Sequence, residues 1–173
     1  MASRLLGLCM VLVLHMFVRV KLAEASPFIE SACKATRFPA VCVQSLASFA
    51  GKIGQSDEQL ALSGVSVSVT KTRSSASLAK AMKPAVPDCI KNLDGSVDHL
   101  SQSVKEFGLL ASNFRLHMGN IQTWVSAALT NQNTCLDTPN VDAKLKASVV
   151  EANQITSNAL ALINSFASKG RVG

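Results

Sequence analysis

VPDCIKNLDGSVDHLSQSVKEFGLL, residues 86–110, decides the fold class. Val86, Ile90, Leu93, Val97, Leu100, Val104 and Phe107 recur in alternating steps of four and three, a period of about 3.5 residues that places all of them on one stripe of an α-helix. So narrow a stripe is the seam by which a helix packs along near-parallel neighbours, and the segment belongs in a bundle. Further along, Val141, Leu145, Val149, Ala152, Ile155, Ala159, Leu162 and Phe166 repeat the pattern, with Thr138 placed to cap that helix and Pro139 to occupy its first turn. Between the two, the sequence predicts a shorter helix bounded by Gly119, capped by Asn120 and running through Ile121, Trp124, Val125, Ala128 and Leu129. Trp124 reads as a core anchor of that helix.

Upstream the signals conflict. Val65-Ser66-Val67-Ser68-Val69-Thr70 alternates like a strand, directly after Gly64. Against that stand the capping-box start Ser56-Asp57-Glu58-Gln59 and the return of helical spacing at Leu78, Ala79 and Met82 before Pro84. A lone strand would have no partner elsewhere in the chain, so residues 57–82 are expected to be helical. Pro27 to Phe49, around Cys33 and Cys42, holds two short apolar helices and forms a hairpin ahead of the bundle. With no Tyr and one Trp, the chain also lacks the aromatic content a sandwich or barrel leans on. The expected fold is all-α: an up-and-down four-helix bundle over 56–169, preceded by a helical hairpin over 27–50.

Residues 1–25 have the layout of a cleavable secretory leader. Arg4 precedes an apolar run from Leu5 to Val18, and small residues stand at Ala23 and Ala25 before Ser26. The run is interrupted at Arg19 and Lys21, short of the roughly 20 apolar residues a bilayer span needs. No membrane partner is expected, and 26–173 is read as one secreted, extracellular domain. Cys9 leaves with the leader, so Cys33, Cys42, Cys89 and Cys135 remain, an even set that in an oxidising compartment points to two disulfides. Sequence alone allows three pairings. No Asn-x-Ser/Thr site invites N-glycosylation.

The composition narrows function by exclusion. The full chain has 17 Lys plus Arg against 11 Asp plus Glu; without Arg4, Arg19, Lys21 and Glu24 the balance is 14 against 10, a net charge of +4. That spread of charge is not the concentrated basic stripe of a nucleic-acid binder. His99 and His117 lack metal-ligand spacing, no nucleophile motif occurs, and no catalytic, metal-binding or cofactor-binding residue is assigned. His99 flanks the apolar stripe and reads as a helix-surface residue.

Four stretches together resemble the plant invertase and pectin methylesterase inhibitors. They are Ile29-Glu-Ser-Ala-Cys-Lys-Ala-Thr-Arg-Phe-Pro-Ala-Val-Cys42, Asp88-Cys89, Gln122-Thr-Trp-Val-Ser-Ala-Ala-Leu-Thr-Asn-Gln-Asn-Thr-Cys135 and Thr156-Ser-Asn-Ala-Leu-Ala-Leu162. The resemblance implies disulfides joining Cys33 to Cys42 and Cys89 to Cys135, one shaping the hairpin and one tying two bundle helices. It also implies a protein that is not an enzyme: an inhibitor forming a one-to-one complex with pectin methylesterase in the cell wall, its second to fourth bundle helices covering the substrate cleft. The outward polar positions on those helices, Lys91, Asp98, Gln102, Gln122, Thr123, Ser126 and Asn133, are the candidate partner-binding residues.

Invertase is the alternative target. Invertase inhibitors carry a Pro-Lys-Phe motif near the last helix, assigned by the resemblance to plugging the sucrose site, whereas this chain reads Thr138-Pro-Asn-Val-Asp142 there. A second alternative is a non-enzymatic structural or carrier protein, one that binds demethylated pectin through its positive charge or shuttles a lipid.

Overall fold

A computed structural model describes residues 25–82 and 86–170. The predicted leader therefore lies outside the described residues except for Ala25, as does Pro84. The described residues are helical. Helices α1 (Pro27–Cys33) and α2 (Pro39–Leu46) form the hairpin, extended by a 3-10 turn (Ala47–Phe49) and a short α3 (Ala50–Ile53). The bundle follows as α4 (Asp57–Ala81), α5 (Pro87–Phe107), α6 (Phe114–Leu136) and α7 (Ala143–Lys169). Each bundle helix packs on the ones before and after it, and α7 closes the ring against α4.

The ends of the helices correct the sequence reading in two places. α6 starts at Phe114, where the Asn113 side chain accepts from the Leu116 amide at 3.1 Å, so Gly119 and Asn120 lie inside it. α7 starts at Ala143, with the Asp142 carboxylate accepting from the Lys144 and Leu145 amides. Thr138 instead closes α6 by donating to the Thr134 carbonyl, and Asn140 takes a positive φ of 60° in the connecting turn. Asp is as good an N-cap as Thr, and here the turn geometry chose the later residue. The Ser56 cap of α4 is present as expected, accepting from the Gln59 amide at 3.2 Å.

The stripe over 86–110 is real but rotated. Leu93, Leu100 and Phe107 are buried, while Ile90, Val97 and Val104 are half-buried on the flank. Cys89, Ser96 and Ser103 take the central positions between them. Small side chains there let α6 come close, and the Ser96 hydroxyl donates to the Ala128 carbonyl at 3.1 Å. On α7 the predicted face holds from Leu145 to Leu162, where Leu145, Val149, Ala152, Ile155, Ala159 and Leu162 are buried, whereas Val141 precedes the helix and Phe166 is half-buried.

The strand-like alternation in α4 has a physical resolution. Ser66, Ser68, Thr70, Thr72, Ser74 and Ser75 each donate a hydroxyl to the carbonyl four residues earlier, so their polar atoms are satisfied inside the helix. The hairpin, α5 and α7 bury α4 around much of its circumference, and burial outweighs the modest helix cost of Val and Thr. Gly64 permits a close approach to α7: a Cβ there would stand 3.3 Å from the Ala159 Cβ.

The core divides into two clusters. The larger one joins the hairpin residues Ile29, Cys33, Cys42 and Leu46 to the upper bundle, and the smaller one surrounds Cys89, Leu93, Cys135, Leu145 and Val149 at the opposite end. A polar layer lies between them, where the buried Gln132 amide donates to the Thr72 and Thr156 hydroxyls at 2.9 and 3.1 Å. Disulfides join Cys33 to Cys42 and Cys89 to Cys135. Asn158, buried in α7, docks the hairpin by accepting from the Phe38 amide at 2.9 Å and donating to its carbonyl at 2.8 Å.

Candidate functional site

The α5–α6 seam is built from successive rungs, each one further up α5 and further back along α6. The Cys89–Cys135 bond closes the lower end. Gly95 comes next: a Cβ there would lie 2.8 Å from the Asn131 side-chain nitrogen. Then the His99 imidazole stacks on the Trp124 indole with centroids 5.3 Å apart and planes 20° from parallel. At the top, His117 Nδ1 lies 2.6 Å from Glu106 Oε2, and Asn120 donates to the same oxygen at 3.2 Å. The hydrogen bonds from His117 and then Asn120 hold the Glu106 carboxyl below its ordinary range, outweighing the opposing desolvation.

Trp124 is therefore not the core anchor the sequence suggested. It is half-buried in this seam and belongs to neither core cluster. His99, also half-buried, takes the helix-surface place expected of it.

The candidate residues fall on two stripes flanking the seam. Lys91, Asp98 and Gln102, in steps of seven and four, share one exposed line on α5. Gln122, Ser126 and Asn133, in steps of four and seven, run along the edge of α6 that faces α7. Two of these three are tied to α7: the half-buried Gln122 donates to Asn164 Oδ1 at 2.8 Å, and Asn133 accepts from Asn153 at 3.0 Å. Thr123 is exposed and rotated toward α5, its hydroxyl donating to the Gly119 carbonyl at 2.9 Å. Sequence reasoning missed the aromatic pair between the stripes, because adjacency across two helices is not visible along one.

Could the seam do chemistry? Ser112 Oγ lies 3.1 Å from His117 Nε2, which with Glu106 completes a Ser-His-Glu chain of hydrogen bonds. The serine hydroxyl, however, also donates to the Leu109 carbonyl at 2.7 Å, and the residue sits on an exposed turn. Its proton is engaged by the backbone of its own turn, so the chain of bonds fastens the α5–α6 connection and does not activate a nucleophile. Among the described residues no group of three or more His, Cys, Asp or Glu side chains is arranged to hold a metal. The cavity of about 370 Å³ between hairpin and bundle is floored by Val41, Phe49, Val67 and Ile155, with the exposed Lys71–Glu151 pair at its rim.

Comparison with known proteins agrees with this architecture. Residues 27–162 match the family model of the plant invertase/pectin methylesterase inhibitors. Pectinesterase inhibitor 11 of Arabidopsis thaliana is 40% identical over 168 residues, covering 84% of this chain and 83% of the relative. Pectinesterase inhibitor 9 of the same plant is 38% identical, with 87% and 85% covered. A protein of Daucus carota named only as a 21 kDa protein is 37% identical, with 85% and 87% covered. A crystal structure of a mutant form of a pectin methylesterase inhibitor from Arabidopsis shares the fold at a TM-score of 0.56 and 17% identity, over 80% of this chain and 97% of that one. The matched family is one of inhibitors, two of these relatives are named as such, and this chain likewise is not an enzyme. With the two disulfides, the hairpin and the helical bundle in place, the chain belongs to the plant invertase/pectin methylesterase inhibitor family.

Proposed function

We propose that this protein is secreted, loses residues 1–25 as a leader, and inhibits pectin methylesterase in the plant cell wall by binding it one to one and covering its substrate cleft. The observation that carries the reading is the open α5–α6 face, where exposed polar side chains stand on rigid helices clear of the hairpin. Lys91, Asp98, Gln102, Thr123 and Ser126 form its contact surface, with Gln122 and Asn133 extending it toward α7. Helix-borne side chains lose little freedom on docking, so inhibition requires complementarity and no chemistry from the inhibitor. Among the described residues no helix is long and apolar enough to cross a membrane, which fits a secreted product.

The family model covers inhibitors of two enzymes, but the relatives compared above that carry a function in their names are called pectinesterase inhibitors, and the Pro-Lys-Phe motif is missing. The test mixes the purified protein with a pectin methylesterase and, separately, with an acid invertase at the acidic pH of the wall. Loss of methylesterase activity, with a one-to-one complex on a sizing column, is the expected result. Inhibition of invertase alone would reassign the target, and full activity in both mixtures would overturn the inhibitor reading. Retention on pectate without enzyme would favour the carrier alternative.

A further inference from the structure

Trp124 is the one tryptophan of the chain, and the fold does not spend it on the core. Its ring lies half-buried in the seam, backed by His99, between the exposed stripe of α5 and the outward residues of α6. Asp98 adjoins His99 in sequence, Gln102 stands one helical turn beyond it, and Thr123 adjoins Trp124. An apolar, pre-oriented aromatic surface surrounded by polar side chains is the anatomy of an interface centre with its rim.

We propose that the His99–Trp124 stack anchors the contact with the methylesterase, receiving an aliphatic or aromatic side chain from the rim of the enzyme's cleft. The proposal rests on the inhibitory reading above and names the residue pair that dominates its affinity. Stacking holds the indole in one orientation before docking, so a large contact area is presented with little side-chain entropy left to lose. A sugar platform fits less well. One indole face is already occupied by His99, and Trp124 lines neither the hairpin cavity nor the larger one between α6 and α7.

A single tryptophan makes the test direct, because 5-fluorotryptophan gives the oxidised protein one fluorine resonance, at position 124. Adding pectin methylesterase is expected to shift or broaden that resonance, and adding methylated galacturonan oligosaccharide alone is expected to leave it unchanged. In binding assays, Trp124→Ala is expected to weaken the complex by at least about thirtyfold, the scale of a hot-spot truncation. His99→Ala, which leaves the indole in place but unbacked, is expected to weaken it several-fold. The native labelled protein needs no mutation, so a variant that fails to fold does not blunt the test. If the complex forms while the resonance stays fixed and His99→Ala binds normally, the anchor is wrong and the inhibitory function stands. A response to oligosaccharide alone would overturn it in favour of a sugar platform. If no complex forms at all, the inhibitory reading falls, and the anchor with it.

Discussion

Two seams of the same bundle are built on opposite terms. Between α4 and α7 the contact is close and small: Gly64 against Ala159, and the Ser75 and Ser148 hydroxyls 2.8 Å apart, with the hairpin laid over both helices. Between α5 and α6 the contact is polar, aromatic and cross-linked, and nothing among the described elements covers it. A covered seam is held mainly by packing, because its apolar surface is removed from water, and its Lys71–Glu151 and Lys169–Asp57 ion pairs stand at the exposed edges. An open seam exposes one edge, where a stacked pair and a carboxylate bridge tolerate solvent, while the buried Cys89–Cys135 bond ties the two helices from the core side. The uncovered side is therefore also the side left free for a partner.

The sharpest way to break this contrast is to remove the cross-link. Replacing Cys89 and Cys135 together by Ala opens a loop of 46 residues and is expected to cost on the order of 4 kcal/mol, read as a lower urea midpoint. A loss under about 1 kcal/mol would mean that the polar rungs hold the open seam unaided. Gly64→Val tests the closed seam: its Cβ meets Ala159 at 3.3 Å, and overpacking there is expected to cost up to about 3 kcal/mol in the same measurement. Next is the cover itself. Asn158→Ala leaves the Phe38 amide and carbonyl without their partner and is expected to lower hydrogen-exchange protection across the hairpin by about 2 kcal/mol, while the distal ends of α5 and α6 stay protected.

Gly95→Ala should show the opposite sign from Gly64→Val. Its Cβ meets only the amide tip of Asn131, a half-buried side chain that can swing aside, and the helix gains up to about 1 kcal/mol of propensity. A loss comparable to that of Gly64→Val would show that both seams are equally tight. The smallest expected effect is pH-dependent. The carboxyl of Glu106 is held below its ordinary range in the folded state, so its stabilising contribution is present above the usual carboxylate range and disappears as pH falls through the lowered value. The stability difference between the native protein and Glu106→Gln should therefore shrink as acid protonates the Glu106 carboxyl. A difference that grows toward acid would contradict the hydrogen-bonded clasp with His117 and Asn120.

The helices were legible because their periodicity is a property of one segment at a time. The α7 face from Leu145 to Leu162 held residue by residue, whereas on α5 the period was right and its phase was wrong. Ile90, Val97 and Val104 are more apolar than Cys89, Ser96 and Ser103, yet the smaller residues are central because α6 approaches there. Caps were less legible for a similar reason. Thr138 and Asp142 are both competent N-caps, and the turn around Asn140 decided between them.

Of the candidate surface, the exposed stripe Lys91, Asp98 and Gln102 follows from helical spacing alone. The ties of Gln122 to Asn164 and of Asn133 to Asn153 required knowing that α7 lies beside α6.

By itself, the sequence determined that this chain is helical, that its cysteines are paired, and which family it belongs to, since these rest on local spacing and on motifs carried within single segments. Only the tertiary structure decided that Gly64 would be a contact point and that Trp124 would stand at a seam and not in the core. Each of those outcomes depends on what lies across from the residue. An isolated helix has a face but no neighbour, and it is the neighbour that makes a position buried, open or shared.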